Sequence, residues 1–246
     1  MKIGILGSGM IGATIAERLA EAGHEVAIAN SRGPETIEAE VLSTGARAVD
    51  AADIAAGVDV LVLSVPLNRL ADVASIVRSA PEGAVVLDTS NYYPQRDGSI
   101  EELEAGEVES LWVVRQVGRA VIKAWNAIGA FSFAGYGTAA GTANRIAIPV
   151  AGDDADAKAL ALKLVEDTGF DAVDAGTLAD SWQQQPGTPA YCTDLTAAEL
   201  TAALPKADAA RSSRRRDIAW DAIAERSEAD GAVGADYLVR LNRALY

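Results

Sequence analysis

The sequence of 246 residues holds one cysteine, Cys192, and one histidine, His24. A single thiol can neither form a disulfide within the chain nor build a thiolate metal cluster, so Cys192 reads as an ordinary small side chain. A lone imidazole in "AGHEV" lacks the companions that a histidine ligand set or a Ser-His-Asp relay needs. His24 therefore reads as a hydrogen-bonding residue, and no metal site is expected. Positive charge is scarce as well: 21 Lys and Arg against 35 Asp and Glu leave a formal net charge of -14, which repels nucleic acid and anionic lipid. The local run Arg214-Arg215-Arg216 is expected on a solvated helix face, with an anionic substrate or a partner subunit as the alternative. No stretch approaches the roughly 20 apolar residues of a membrane-spanning helix, and the first apolar run meets glycines too early for a signal peptide. The expectation is a cytoplasmic protein with a small-molecule partner and neither a membrane nor a nucleic-acid partner.

Apolar content is plentiful, since hydrophobic residues make up 50% of the chain, enough to bury a core as one or two domains. Apolar runs of strand length alternate with segments of helical period, which predicts parallel strands joined by right-handed crossovers. Strands are expected at Lys2–Leu6, Glu25–Asn30, Ala46–Val49, Val60–Val65, Ala84–Asp88 and Val121–Trp125, and their continuous apolar character fits burial on both faces. Helical spacing covers Ile11–Ala22, Glu35–Ser43, Asp50–Ala55 and Asn68–Ser79, with Gly23, Gly45 and Pro81 as stops. The fold class is α/β, a doubly wound parallel sheet with a smaller helical C-terminal part. After Asn126, "GAFSFAGYGTAAGTANR" reads as a loop or loose connection. The following "RIAIPVAGDDADAKALALKLVEDTGFDAVDAG" reads as strand, helix and strand that extend the same sheet. The domain boundary falls near Leu178, giving residues 1–178 and 179–246, the second a loop and helices broken at Pro205. The C-terminal "DYLVRLNRALY" carries an apolar stripe at helical spacing that suits the core or a homo-oligomer seam equally.

Gly7-Ser8-Gly9-Met10-Ile11-Gly12 is a G-x-G-x-x-G run between an expected strand and an expected helix, the setting in which the pattern becomes informative. There Gly7 permits the tight turn, Gly9 lets a pyrophosphate approach the backbone, and Gly12 lets the helix pack close to the strand. Ser8, Met10 and Ile11 belong to the same turn, whose free amides face the phosphates. A site for NAD usually places Asp or Glu about 20 residues on, where it holds the adenosine ribose. Here that place is Asn30, followed by Ser31 and Arg32. A carboxylate repels a 2'-phosphate, whereas Ser31 can donate to it and Arg32 can pair with it through a planar fork. The residues point to NADP (NADPH) as cofactor; the alternative is a surface Arg32 and a site indifferent between nucleotides. Ligands in such sheets lie beyond the carboxyl ends of the strands. That brings in Ser64, Val65 and Pro66 beside the adenosine or linking ribose, and Asn91, Asn126 and Ala127 at the nicotinamide end. Asn91 has an equal reading as a turn residue.

At "IGILGSGMIG", "NSRGP", "LSVPL", "VLDTSNYYP", "VIKAWNAI" and "VAGDDADAK…VDAGTLADSW" the chain resembles a family of NADPH-dependent oxidoreductases and their dinucleotide-binding relatives. That family reduces a 5-deazaflavin, coenzyme F-420. The resemblance covers most of the chain to about Trp182, and the ensemble of motifs is specific although each alone is weak. It implies an NADP-binding Rossmann domain and a smaller part that helps form a cleft, with the deazaflavin as co-substrate against the nicotinamide. It also matches Ser31 and Arg32 to the family's serine-arginine pair for the 2'-phosphate. The chain departs from the family at Gly33-Pro34, where many relatives carry a second basic residue, which implies a less strict preference for NADP. The stretch "SWQQQPGTPAYC" is similar to a branch of relatives for which the resemblance assigns no second substrate.

Hydride transfer to a flat, electron-poor ring needs closeness, alignment and water exclusion more than a strong acid or base. That suits a chain with no histidine at a catalytic strand end. Asn126 is the expected catalytic residue, orienting the carboxamide together with neighbouring backbone. Trp182 and Tyr191 are expected to wall the second-substrate pocket, against a plainer reading of both as core or interface aromatics. Lys123 and Asn126 also invite comparison with 6-phosphogluconate dehydrogenase and its hydroxyacid relatives, which use a lysine and an asparagine near the nicotinamide, there on a helix. One alternative function is thus an NADPH-dependent reductase or dehydrogenase of a small carbonyl, hydroxyacid or imine. Another is a non-catalytic NADPH-sensing module.

Overall fold

The computed structural model describes residues 1–231 and 233–246. Strands β1 (Lys2–Leu6), β2 (Glu25–Ala29), β3 (Arg47–Ala48), β4 (Val60–Leu63), β5 (Val85–Asp88) and β6 (Ile122–Lys123) form one sheet. All are parallel, in the spatial order β3-β2-β1-β4-β5-β6. The chain order reverses between β1 and β4, and a crevice opens beyond the carboxyl ends of strands at such a switch point. A separate parallel pair, β7 (Ala147–Val150) and β8 (Asp171–Asp174), lies beside it. The helices are, in chain order, α1 (Met10–Glu21), α2 (Ala39–Leu42), α3 (Leu70–Ser79), α4 (Pro94–Asp97), α5 (Glu101–Glu104), α6 (Glu109–Val117), α7 (Ala130–Gly135), α8 (Ala155–Asp167), α9 (Ala197–Ala203), α10 (Ala209–Asp230) and α11 (Ala235–Ala244).

Side chains of a strand alternate between the two faces of its sheet, and here both faces are covered. Ile3, Ile5, Val60 and Val62 join Ile15 and Leu19 of α1 and Leu164 and Val165 of α8 in one core. Leu6, Leu61 and Leu63 join Leu70 and Val77 of α3 and Trp112, Val113 and Val117 of α6 in the other. The doubly wound architecture follows from this two-sided burial. No helix among the described residues is long and apolar enough to cross a membrane.

The expected strands are present; β1 and β5 end where expected, whereas β2, β4 and β6 end earlier at the crevice. β2 stops at Ala29, β4 at Leu63 and β6 at Lys123, where the backbone leaves the ladder; Trp125 turns it sharply with φ 56°. The helix expected over Glu35–Ser43 is broken into a 3-10 turn Pro34–Thr36 and α2, because Ile37 is extended and drops into the core. The Asp50–Ala55 helix is replaced by turns closed by bonds such as Asp53 N to Asp50 O at 3.0 Å. The loose connection after Asn126 contains α7, anchored by fully buried Phe133. β7 and β8 do not continue the main ladder as expected. β7 runs on into an isolated antiparallel bridge between Ala151 and Lys123, the end of the two-residue β6, and forms its own sheet with β8. Residue 178 opens a 3-10 stretch, Leu178–Gln184, which packs against α6 and leads into the C-terminal helices. α11 packs on α7 and α10.

Candidate functional site

Two adjoining cavities follow the carboxyl edge of the sheet. The first, about 480 Å³, is lined by Gly7–Gly9 from the β1–α1 turn, Asn30–Arg32 after β2 and Ser64–Pro66 after β4. The three motif glycines are there for different reasons. Gly7 has φ 118°, and a Cβ there would lie 2.0 Å from the Ser64 carbonyl oxygen; a Cβ on Gly12 would lie 2.0 Å from the Gly7 oxygen. Both are therefore demanded by the protein's own backbone. Gly9 is different: its φ of -70° suits any residue, and a Cβ there would meet nothing within 4 Å. Gly9 is also the N-cap of α1 and caps it with no side chain, so the first amides of that helix remain free to meet an anion.

Asn30, standing where an acid would mark NAD, is committed to shaping the loop. Its Nδ2 donates to Ser8 Oγ and Thr36 Oγ1, both at 2.9 Å, and its Oδ1 accepts from the Arg32 amide at 2.8 Å. The effect is to fix Ser31 and Arg32 at the rim of the first cavity. Arg32 is exposed, and among the described residues no carboxylate pairs with its guanidinium.

The second cavity, about 530 Å³, shares Gly9 and Ser64–Pro66 with the first and runs on between the strand ends and the C-terminal helices. Met10, Ile11, Asn91, Asn126 and Tyr191 line it, together with Ser90, Tyr93, Arg96, Trp220 and Leu238. Asn126 is 2% exposed and its amide is bonded at both ends. Nδ2 donates to Asn91 Oδ1 at 3.1 Å and to the Gln184 carbonyl at 2.9 Å, while Oδ1 accepts from Gln184 Nε2 at 2.8 Å. Asn91 in turn donates to the Asn126 carbonyl at 2.9 Å. Asn126 thus braces the cleft with both amide hydrogens committed, which leaves the second acceptor site of Oδ1 for the carboxamide contact expected from sequence. Ser90 is the contrasting neighbour, because its buried Oγ has no partner among the described residues.

Below the cleft lies a buried ion pair. Lys123 and Asp88 meet at 2.7 Å with both side chains fully buried. Lys123 Nζ also donates to the Ser90 carbonyl, and the Ser90 amide donates to Asp88 Oδ1 at 3.0 Å. The pair pins the Ser90–Asn91 turn and lines neither cavity, so Lys123 does not take the place a hydroxyacid dehydrogenase's lysine would. Burial pushes the Cys192 thiol up to about 12, which keeps it protonated and inert as a nucleophile. Burial likewise raises Tyr93 and, well above the ordinary phenol range, Tyr191.

Gly12 and Ala127 line neither cavity; Ala127 uses its carbonyl to accept the Cys192 amide at 2.7 Å. Trp182 is not on the wall expected for it. It lines a neighbouring cavity of about 380 Å³ with Tyr92, Glu109 and Gln185, separated from the cleft by Pro186 and Arg216. Arg216 is buried against Tyr92 at 5.1 Å and bonds Asp217 at 2.9 Å, so only part of the arginine run faces water. His24 bonds Asp167 of α8 at 3.1 Å. Sequence reasoning missed Ser90, Tyr93, Gln184 and Trp220; the first two stand inside "VLDTSNYYP", the motif already singled out.

A doubly wound sheet with this glycine turn at its switch point defines a dinucleotide-binding protein of the Rossmann class. The family model described as NADP oxidoreductase, coenzyme F420-dependent, matches residues 2–92. Protein SMa0349 of Sinorhizobium meliloti is 31% identical, with a TM-score of 0.70 over 80% of this chain and 95% of its own. A candidate F420-dependent NADP-reductase from Arthrobacter sp. FB24 is 26% identical, with a TM-score of 0.58 over 74% of this chain and 87% of its own. Protein YjhV of Escherichia coli (strain K12) is 49% identical over 67 residues, which are 27% of this chain and 49% of YjhV; the match spans about half the length of that relative. The chain belongs to the coenzyme F420-dependent NADP oxidoreductase family, a family of NADP-dependent oxidoreductases.

Proposed function

We propose that residues 1–178 bind NADP(H) along the strand ends and that residues 179–246 close a cleft over it. There a hydride passes between the nicotinamide and a flat, electron-poor second substrate such as coenzyme F-420. Gly9 carries this reading: neither its backbone conformation nor its surroundings require glycine, whereas a pyrophosphate lying on the α1 amides does. Ser31 and Arg32 take the 2'-phosphate, and Ser64, Val65 and Pro66 flank the linking riboses at the junction of the two cavities. The nicotinamide, when bound, supplies or accepts the hydride. Ser90 Oγ, buried without a partner among the described residues, gains one from the carboxamide, since buried hydroxyls are nearly always paired. Asn126 and Gln184 hold that turn rigid. The family description and the name of the Arthrobacter relative support a deazaflavin acceptor. The free, buried thiol suits a reducing, cytoplasmic place of action.

A small carbonyl or imine acceptor is the second reading, favoured by the hydroxyls of Tyr93 and Tyr191 meeting at 2.7 Å inside the cleft. The test follows NADPH absorbance with the deazaflavin, a flavin, a ferric chelate and small carbonyl compounds as acceptors. Consumption with the deazaflavin supports the first reading, and consumption with only a carbonyl supports the second. Tight NADPH binding with no consumption by any acceptor overturns both in favour of a sensing module.

A further inference from the structure

We propose that Tyr191 is the proton donor to the second substrate, its phenolic O–H meeting the oxygen or nitrogen conjugated to the carbon that receives the hydride. This inference rests on the hydride-transfer reading above. Tyr191 lies in the same cleft as the glycine turn and Ser90. Its hydroxyl oxygen accepts from the Tyr93 hydroxyl at 2.7 Å and faces the Asn91 amide nitrogen at 3.5 Å. With donors on that oxygen, the remaining hydrogen of Tyr191 is left for a ligand. The neighbouring Cys192 competes for it only with a sulfur, a weak acceptor that a substrate oxygen or nitrogen outbids.

Apart from Ser90, which the reading above gives to the carboxamide, the polar side chains nearest to Tyr191 have partners of their own. Asn126 is engaged with Asn91 and Gln184. Arg96 is held by Asp97 and by the Asn91 carbonyl at 2.6 Å, and Asn242 Nδ2 bonds the Leu238 carbonyl at 2.9 Å. Burial keeps both phenols protonated, so Tyr191 is no base, and the Tyr93 and Asn91 donors on its oxygen stabilise the phenolate that forms as its proton leaves.

The backbone around this hydroxyl is held in a rare conformation. Trp125, Cys192 and Asp194 have φ of 56°, 52° and 47°, left-handed values that are unfavourable for such residues and persist where surrounding structure enforces them. The Cys192 amide is tied to the Ala127 carbonyl at 2.7 Å, so the strained turn fixes Tyr191 relative to Asn126 and Ser90. Tyr93 and Trp220, with ring centroids 5.1 Å apart, give the cleft an aromatic wall for a planar acceptor.

The step balances as follows. A C–H bond forms at the acceptor carbon with the hydride that NADPH supplies, and the acceptor's π pair moves to its conjugated heteroatom. That atom takes the Tyr191 proton. Tyr93 passes its own proton to the Tyr191 oxygen and is recharged from water. Tyr191 is thus the catalytic residue, while Tyr93 and Asn91 position it and Tyr93 restores its proton.

Tyr191→Phe keeps the ring and removes only the hydroxyl. The expected result is a fall in kcat of about 100-fold, the scale of a lost general acid, with the acceptor's KM and the NADPH Kd within about threefold of wild type. Riboflavin affinity, read by quenching of tryptophan fluorescence without turnover, should change by the same small factor. Tyr93→Phe should lower kcat by about tenfold, a part of the same general-acid effect. Turnover of Tyr191→Phe within about threefold of wild type overturns the inference while leaving hydride transfer intact. Failure of the wild type to consume NADPH with any acceptor overturns the hydride-transfer reading and this one with it. If Tyr191→Phe does not fold, Tyr93→Phe and the wild-type solvent deuterium isotope effect decide. No solvent effect, where deuterated NADPH shows the chemical step to be slow, counts against Tyr191.

Discussion

The two cavities along the sheet edge are built in opposite ways. The first is made of short stretches, Gly7–Gly9, Asn30–Arg32 and Ser64–Pro66, and offers backbone amides and two exposed guanidiniums, of which Arg69 is paired with Asp72 and Arg32 has no carboxylate partner among the described residues. The second is assembled from residues far apart in the chain, such as Asn91, Asn126, Gln184 and Tyr191, whose side chains bond one another. A local, backbone-built half suits a ligand part common to many proteins, the nucleotide. A half built from distant side chains can change with the second substrate while the nucleotide half stays the same.

Breaking the buried pair beneath the second cavity should have the largest effect. Lys123→Met leaves Asp88 uncompensated in a fully buried position, which costs about 3–5 kcal/mol. At about 2–4 °C per kcal/mol for a chain of this size, thermal melting should drop by roughly 10 °C, whereas a drop under about 2 °C would show that the pair pins nothing. Arg32→Ala sharpens the comparison from the other side. NADPH affinity should weaken by roughly 10- to 100-fold, matching about 1.5–3 kcal/mol for a charged hydrogen bond, while NADH affinity stays within about twofold. Equal losses in a calorimetric titration would remove the 2'-phosphate role.

Glu109, in the cavity beside Trp182, gives an effect no larger than these and one tied to pH. Burial pushes its carboxyl up to about 7, with Lys123 opposing the rise, and its Oε2 has no partner among the described residues. A folded pKa above the ordinary carboxylate value means the native state holds more protons between about pH 4.5 and 7, so stability falls as pH rises through that window. Glu109→Gln removes this penalty and should raise stability in a denaturant titration more at about pH 8 than at about pH 5, by up to about 3 kcal/mol. A gain equal at both pH values would mean the carboxyl is not the cause.

The sheet and the nucleotide half are legible in the sequence because both rest on local pattern. Apolar runs mark β1, β4 and β5 directly, and the spacing of Gly7, Gly9 and Gly12 encodes a turn, an approach and a close packing. The second half is legible only as strand ends. Asn126 is found there, but Gln184 engages its amide from 58 residues away, a partner no periodicity announces. Lys123 looks catalytic in the sequence, whereas its burial makes it the anchor of Ser90. Trp182 leaves its expected wall because the 3-10 stretch Leu178–Gln184 turns it toward Glu109 and away from the cleft.

Gly9→Val, titrated with NADPH by calorimetry alongside a thermal melt, tests most directly whether a dinucleotide lies over the glycine turn. The space beside Gly9 is empty of protein, so folding should be unchanged and NADPH binding lost. Undiminished NADPH binding by the folded variant would contradict the assignment.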